Sequence, residues 1–449
     1  HNGFNGDMAR RRNRQKNSPP ETAKATIESM AHDGRGVAHV DDKAVFIAGA
    51  LPGEDVVFQY SKKKKDYAEG RVTEVLSASA DRVEPGCPHY DICGGCSFQH
   101  LDPNKQILAK QTILIEQFKS IGKLDNIELW PALTGQHWGY RHRARLGVKN
   151  VEKKGRVLVG FREKASPFLA EIEQCDVLHS AVGKRLMDLS ALVGSLSIKD
   201  KVPQIEVSIC DNRTALVFRI MEPLSAEDVE VLTAFESTGE VDIYTQSKGP
   251  DTIKPLTGEK PPLSYQLPND VTLYFGPSDF VQVNVDINRK MINRALDTLQ
   301  LTKDDKVLDL FCGLGNFTLP MARVAGQVTG VEGSDELIRR AQQNADKNGL
   351  DNADFHVANL METLPNDDWV KQTYNKVLID PPRLGAKEIL HYLPKWQAKQ
   401  VLYISCNPST LARDAAIMVN ELGYTLKKAG VMDMFPHTSH VESIALFEK

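Results

Sequence analysis

The sequence lacks most of what would place a protein outside the cell or in a membrane. Seven cysteines in 449 residues are odd in number, and three sit close together while the rest are scattered, which does not suit a disulfide framework. No apolar run approaches the roughly 20 residues needed to span a bilayer, and no signal-peptide core follows the N-terminus. An excess of charge is missing too: 55 Lys and Arg face 59 Asp and Glu, for a net charge of −4. A globally basic nucleic-acid-binding protein is thereby excluded, and any positive surface for phosphate must be local. These absences lead us to expect a protein of the reducing cytoplasm. The 41% hydrophobic and 25% charged residues suit folded domains, and the length fits two or three of them.

Residues His1 to Asp7 read as an expression remnant ahead of Met8, followed by a basic, disordered arm from Arg10 to Lys16; together they make a segment 1–17 outside the fold. Over 18–77 short alternating strands are separated by turn signals such as Asp33-Gly34-Arg35-Gly36 and Leu51-Pro52-Gly53-Glu54. Five strands, with the segment 26–30 read as one of them, suggest an OB-like β-barrel, whose charged tip Lys62 to Lys65 is placed to contact RNA. Residues 78–278 read as a central α+β region with a helix over 104–121 and a long loop over 250–268. From 279 to 449 the pattern is regular α/β alternation, with short apolar strands at 307–311, 328–332, 354–357, 376–380 and 400–405. Two more strands, 425–432 and 442–447, form an antiparallel hairpin. Five parallel strands followed by such a hairpin match a class I, Rossmann-like methyltransferase domain.

The first of these strands runs into Phe311-Cys312-Gly313-Leu314-Gly315-Asn316-Phe317, a glycine turn that opens a helix. The third glycine of a nicotinamide-binding loop is absent, which fits a ligand without a pyrophosphate, such as S-adenosylmethionine. Glu332, at the end of the next strand, is spaced to accept hydrogen bonds from ribose hydroxyls, and Asn359 is placed to reach adenine. Ligands of open α/β sheets bind at the carboxyl ends of the strands, where Asp380-Pro381-Pro382-Arg383 and Ser405-Cys406-Asn407-Pro408 lie side by side. An antiparallel last strand begins at the same edge, with His440-Val441-Glu442. Asp380, Cys406 and Glu442 are therefore expected in one crevice. A thiolate there suits addition to C6 of a uracil, which makes C5 nucleophilic, and a carboxylate suits removal of the C5 proton. Cys406 must ionise near neutral pH for this, which calls for an electropositive neighbourhood. Cys312 and Cys210 read as packing residues.

Cys87, Cys93 and Cys96 form a C-x5-C-x2-C triplet, and Cys175 is the best fourth thiol. Zinc and a [4Fe-4S] cluster both suit four thiolates; a triplet plus a distant single favours the cluster over the paired pattern usual for zinc.

These motifs, in this order, resemble the RNA uracil-C5 methyltransferases, and among them the bacterial 23S ribosomal RNA enzymes of the uracil-1939 type. The likeness runs from Ile27 to the C-terminus and includes Asp33-Gly34-Arg35-Gly36-Val37-Ala38 and Asp279-Phe280-Val281-Gln282-Val283-Asn284. The resemblance implies that the barrel is a TRAM domain and that Cys87, Cys93, Cys96 and Cys175 ligate a [4Fe-4S] cluster. It implies contacts to S-adenosylmethionine from Gln282, Phe311, Asn316, Glu332, Asn359 and Asp380, with Cys406 and Glu442 catalytic. It places Phe280 against a target base that has left its stack, and Tyr140-Arg141-His142-Arg143-Ala144-Arg145 against RNA. Ribosomal RNA is the expected partner, transfer RNA the alternative, and the chain is expected to act as a monomer away from membranes. A non-catalytic RNA-binding or redox-sensing protein on the same fold is the remaining alternative.

Overall fold

The alternating segments at the N-terminus close on themselves. In a computed structural model that describes residues 20–449, they form β1 (Thr22–Thr26), β2 (Ser29–Met30), β3 (Gly36–Val40), β4 (Lys43–Ala48), β5 (Asp55–Lys63) and β6 (Tyr67–Ser77). The basic arm read over Arg10 to Lys16 lies outside the described residues. The sheet order is β1-β5-β6-β4-β3-β2, so β1 and β2 are its two edges although only Ile27 and Glu28 separate them in sequence. Those two residues carry the chain from edge to edge: the amide of Ile27 donates to the Glu54 carbonyl and that of Glu28 to the Val37 carbonyl, both at 2.8 Å. Segment 26–30 is thus two strands rather than one, because Ile27 turns into the barrel core with Ile47, Val56 and Phe58. Irregularities in the β5–β6 register supply the bending that closure requires. Gly36 is confined by packing: a β-carbon there would lie 2.9 Å from side-chain atoms of Ala50 and Ile27. Lys62 and Lys63 end β5, and Lys64 and Lys65 form an exposed turn. This barrel belongs to a unit that ends at Ala80; the second unit spans Asp81–Lys449.

The second unit holds two large sheets. The first contains β7 (Arg143–Val151), β8 (Arg156–Gly160), β9 (Gln204–Ile209), β10 (Thr214–Arg219), β11 (Asp242–Gln246) and β12 (Lys254–Pro255), in the order β12-β11-β10-β9-β7-β8. A separate hairpin follows, β13 (Leu263–Leu267) with β14 (Val271–Phe275). The long loop expected over 250–268 therefore contains two strands. Its prolines and glycines surround the alternation Leu263, Tyr265, Leu267 without entering it, and all three side chains are buried. The free edge of β14 is completed by a helix, Asp335–Lys347 and its cap Asn348. The Asn344 side chain accepts from the Tyr274 amide at 2.8 Å and donates to its carbonyl at 2.9 Å. Asn348 repeats the pattern on Thr272, with both bonds 2.9 Å. One helical turn between the two asparagines matches the two-residue step of the strand.

The second sheet contains β15 (Lys306–Leu310), β16 (Gln327–Glu332), β17 (Ala353–Val357), β18 (Lys376–Ile379), β19 (Gln400–Ser405), β20 (Thr425–Met432) and β21 (Glu442–Glu448), ordered β17-β16-β15-β18-β19-β21-β20. The first five pair in parallel, as expected for a sheet of uniformly apolar strands, and β21 is antiparallel to both β19 and β20. The last two strands are not joined by a tight turn: residues 433–441 form a loop between them, and β21 inserts between β19 and β20. Chain order reverses between β15 and β18, which opens a crevice at the carboxyl ends of those strands. Among the described residues no helix is long and apolar enough to cross a membrane.

Replacing Asn344 with Leu leaves an amide and a carbonyl of β14 without partners. Each such loss costs about 1–3 kcal/mol, so the urea midpoint of the second unit is expected to fall clearly, with Asn344→Gln in between. A midpoint unchanged by Asn344→Leu would show that the helix does not serve as a strand edge.

Candidate active site

The glycine turn after β15 lies at the point where strand order reverses. Phe311, the first residue past the strand, takes a left-handed backbone with φ of 64°, and Gly315 one with φ of 97°. These values turn the chain sharply out of the strand, and at Gly315 only glycine adopts them at no steric cost. Asn316 then exchanges two amide hydrogen bonds with Asn288, at 2.8 and 3.0 Å, which fixes the start of the following helix. Glu332 ends β16 and accepts from the Gly333 amide at 3.0 Å. Asp380 follows β18, its amide donating to the Leu310 carbonyl at 3.2 Å. Asn359 is exposed beyond β17, its carbonyl oxygen accepting from the Met361 amide. Gln282 is half-buried, and Phe280 stands 77% exposed beside buried Asp279, which is ion-paired to Arg340. Phe311, Asn316, Glu332 and Asp380 follow or end β15, β16 and β18, Asn359 follows β17, and Gln282 lies in the loop before the helix that carries Asn288.

Three carboxyl groups crowd these strand ends. Burial, followed by the charge of Asp309 and then Glu332, pushes Asp380 up to about 8. Burial pushes Asp309 up to about 7 against a hydrogen bond from the Thr318 hydroxyl at 2.5 Å, and Glu332 raises it further. Burial also raises Glu332. The second oxygen of Asp309 is buried with no hydrogen-bond partner. A cationic ligand with hydroxyl donors relieves such a cluster, and S-adenosylmethionine carries a sulfonium, an ammonium and a ribose. The donor set therefore fits this cofactor. Asp309, a lone acid within apolar Val307-Leu308-Asp309-Leu310, was not among the expected contacts; its position inside the strand was the available signal.

The pairing of β19 with β21 brings the nucleophile and base candidates together. Ser405 pairs with Ser443, so Cys406 and Glu442 occupy the next positions at the same end of the ladder. Their charges act on each other. Cys406 is pushed up to about 11 by burial, then by Glu442; Asp380 adds to the rise and Arg383 opposes it. Glu442 is pushed up to about 8 by burial, then by Asp380, with Lys110 and Arg383 opposing. The expected electropositive surroundings of Cys406 are thus limited to Arg383, and two carboxyl groups outweigh it. The reason is topological: the strand ends that deliver the thiol also deliver Asp380 and Glu442.

Residues 433–441, which lead into Glu442, are fastened at several points. Gln106 accepts from the His437 amide at 2.8 Å and also faces the His437 ring at 3.1 Å. The Tyr140 hydroxyl donates to the Pro436 carbonyl at 2.9 Å, and Lys110 donates to the Phe435 carbonyl at 3.1 Å. The Asn284 side chain donates to the Met434 carbonyl at 3.2 Å. The amides of Ser97 and Phe98 both donate to the His437 carbonyl at 2.9 Å.

Those last two residues follow the cysteine triplet directly. Cys87, Cys93, Cys96 and Cys175 all line one cavity of about 160 Å³. Burial, with mutual repulsion among the sulfurs, pushes Cys96 up to about 12 and Cys175 up to about 11. The Gly95 amide donates to the Cys93 sulfur at 3.4 Å. Among the described residues no group of three Cys, His, Asp or Glu is arranged to hold a single metal ion. Cys312 is buried, and Cys210 is pushed up to about 12, mainly by burial, beside Tyr265. Within the basic segment, Arg143 is buried and donates to the Pro277 carbonyl at 3.1 Å and to Glu206, so it builds the fold; Arg145 is exposed.

Fold and site together define a class I methyltransferase with a thiol beside the cofactor edge. The family described as tRNA (Uracil-5-)-methyltransferase matches residues 268–449, and the TRAM domain matches residues 20–73. The chain is 52% identical over 440 residues to a Methylococcus capsulatus protein named 23S rRNA (uracil(1939)-C(5))-methyltransferase RlmD, covering 98% of this chain and 99% of that one. A protein of the same name from Alkalilimnicola ehrlichii is 48% identical, with 98% and 99% covered. Among solved structures, the tRNA (uracil-54, C5)-methyltransferase of Pyrococcus abyssi, in complex with S-adenosyl-L-homocysteine, shares the fold at a TM-score of 0.72 and 23% identity, covering 95% of this chain and all (100%) of that one. The chain belongs to the S-adenosylmethionine-dependent RNA uracil-C5 methyltransferase family.

Raised carboxyl groups make the ligand-free protein less stable as pH rises. A folded-state pKa above the unfolded value contributes stability at low pH that is lost as pH climbs through the folded value. For Asp380 that window runs from the ordinary carboxylate range up to about 8. Asp380→Asn is therefore expected to melt higher than the parent at pH 8, with the gap closing toward pH 5. A gap that does not change with pH would refute the assignment.

Proposed function

We propose that this enzyme methylates C5 of a uracil in 23S ribosomal RNA through a covalent adduct between Cys406 and C6 of the base. The observation that carries the reading is the β19–β21 register, which sets Cys406 and Glu442 at one strand end beside Asp380. Addition of the thiolate to C6 places electron density on C5, which forms the new C–CH3 bond as the S–CH3 bond of the donor breaks. Glu442 then takes the C5 proton, and the electron pair left behind expels the Cys406 thiolate from C6 and restores the ring. S-adenosylmethionine supplies the electrophilic methyl. Gln282, Phe311, Asn316, Glu332, Asn359 and Asp380 hold it, and its positive charge offsets the crowded carboxylates, so that Cys406 ionises more readily. Phe280 is free to stack on the flipped base. The choice of ribosomal RNA is supported by the near full-length relatives; transfer RNA is the second reading, since the family description and the Pyrococcus abyssi protein carry that substrate. Lys62 to Lys65 and Arg145 are exposed cations that offer charge to phosphate, Lys63 being paired to Glu21 in the RNA-free protein.

The same proposal includes a [4Fe-4S] cluster on Cys87, Cys93, Cys96 and Cys175. Support comes from the shared cavity and from the amide aimed at the Cys93 sulfur. A single zinc ion would need its sulfurs within roughly 3.8 Å of one another, given Zn–S bonds of about 2.3 Å; a cluster spreads its ligands wider, around a void. The role we assign it is structural, because Ser97 and Phe98 tie the third cysteine's loop to the loop that delivers Glu442.

Four outcomes test this. With 5-fluorouridine RNA and the methyl donor, the parent enzyme gives a band that resists denaturation and Cys406→Ala gives none; equal behaviour of the two overturns the mechanism. With ordinary RNA, Glu442→Gln accumulates the adduct by at least tenfold over the parent. Cys175→Ala loses the broad visible absorption of an iron–sulfur cluster, and persistence of that absorption would remove Cys175 from the ligand set. Comparing methyl incorporation into purified ribosomal and transfer RNA separates the two substrates.

A further inference from the structure

We propose that Lys110 is a positioning residue for the reaction: its buried ammonium, seated against the loop that ends in Glu442, favours the ionised form of that carboxylate, the form that takes the C5 proton. The inference deepens the reading of Glu442 as the base and rests on it. Lys110 lies on the helix Pro103–Ser120, whose buried face otherwise includes Ile107, Ile113, Leu114 and Phe118. An apolar residue would serve that packing equally well. The position instead carries a charge at 1% exposure. Burying an ammonium is costly unless it is paired and hydrogen-bonded, yet its partners here are few. It donates to the Phe435 carbonyl at 3.1 Å and stands 3.8 Å from a carboxylate oxygen of Asp433, itself 1% exposed. Neither oxygen of Asp433 makes a hydrogen bond. The pair is therefore loose, and the field of the ammonium reaches further than its nominal partner.

It reaches Glu442. The charged groups acting on that carboxylate are Asp380, which favours its protonated form, and Lys110 and Arg383, which favour the ionised form. Arg383 is exposed, so salt and water screen it, whereas a buried charge is screened far less. Lys110 in turn feels Asp433 and Glu442, and His440 and His437 both feel Lys110; His137 acts on Asp433 and His437. Lys110 itself is lowered to about 8 by burial and stays largely protonated near neutral pH. Burial and Asp380 together push Glu442 toward the acid form, in which it accepts no proton, and Lys110 is the interior charge that opposes them. The charges that act most strongly on Cys406 are those of Glu442, Arg383 and Asp380. The effect of Lys110 is therefore expected on proton removal and not on thiol addition.

The test follows decay of the covalent adduct against pH, with the full-length enzyme, S-adenosylmethionine and a 23S ribosomal RNA fragment. Lys110→Met is expected to move the acidic midpoint of decay up by about one pH unit, which is about tenfold slower decay at neutral pH. Adduct formation and S-adenosylmethionine affinity are expected to stay near the parent values. Lys110→Arg keeps the charge and is expected to keep the midpoint. The double variant Lys110→Met/Asp433→Asn removes the orphaned carboxylate and is expected to show the same upward shift; it carries the test if the single variant fails to fold. A folded Lys110→Met or double variant with the parent midpoint overturns the proposal. Glu442→Gln separates the two levels. If it traps the adduct while the Lys110 variants behave like the parent, only the role of Lys110 fails; if it releases the adduct at the parent rate, the assignment of the base fails.

Discussion

The antiparallel insertion of β21 between β19 and β20 is the constraint on which the site depends. A strand that ran parallel there would deliver its first residue to the opposite edge of the sheet, away from the crevice. By running backwards, β21 starts where β19 and β18 stop, and Glu442 begins at the level of Cys406. The cost of this arrangement is a nine-residue excursion, 433–441, that must cross the crevice edge without a ladder of its own. Its backbone groups find partners on other elements instead, in line with the rule that buried amides and carbonyls are paired. Gln106, Lys110, Tyr140 and Asn284, and the amides that follow Cys96, supply them. The central region is in this sense a brace for the end of the catalytic sheet.

Charge is distributed with a similar economy. The strand edge at Asp380 gathers acids, Glu442 sits among them, and the two nearby cations differ in kind: Arg383 is exposed and Lys110 buried. Four thiols elsewhere share one cavity, and burial raises each of them. Neither arrangement makes sense as packing alone, since apolar residues of the same size would fill either space at lower electrostatic cost.

Much of this was legible in the sequence, for identifiable reasons. The five parallel strands announce themselves because strands covered on both faces are apolar throughout. Cys406, Asp380 and Glu442 could be brought together on paper because strand ends in this topology share an edge. What escaped was of two kinds. Strand β13 lay in a stretch rich in proline and glycine, and composition outweighed the alternation of Leu263, Tyr265 and Leu267. Asp309 is a lone acid in an apolar strand and Lys110 one of several charges along its helix, and the meaning of both comes from neighbours distant in the chain. Arg143 misled for the complementary reason: a run of basic residues reads as surface, while this member is buried against Glu206 and the Pro277 carbonyl.

The cluster of Asp309, Glu332 and Asp380 has one more consequence. A site that accumulates buried negative charge discriminates by charge before it discriminates by shape. Methyl transfer converts a sulfonium into a neutral thioether, so the spent cofactor is close in shape to the fresh one but no longer offsets the acids around it. Under the proposed assignment these carboxylates hold the charged donor more firmly than the neutral thioether it becomes, which favours release of the spent cofactor.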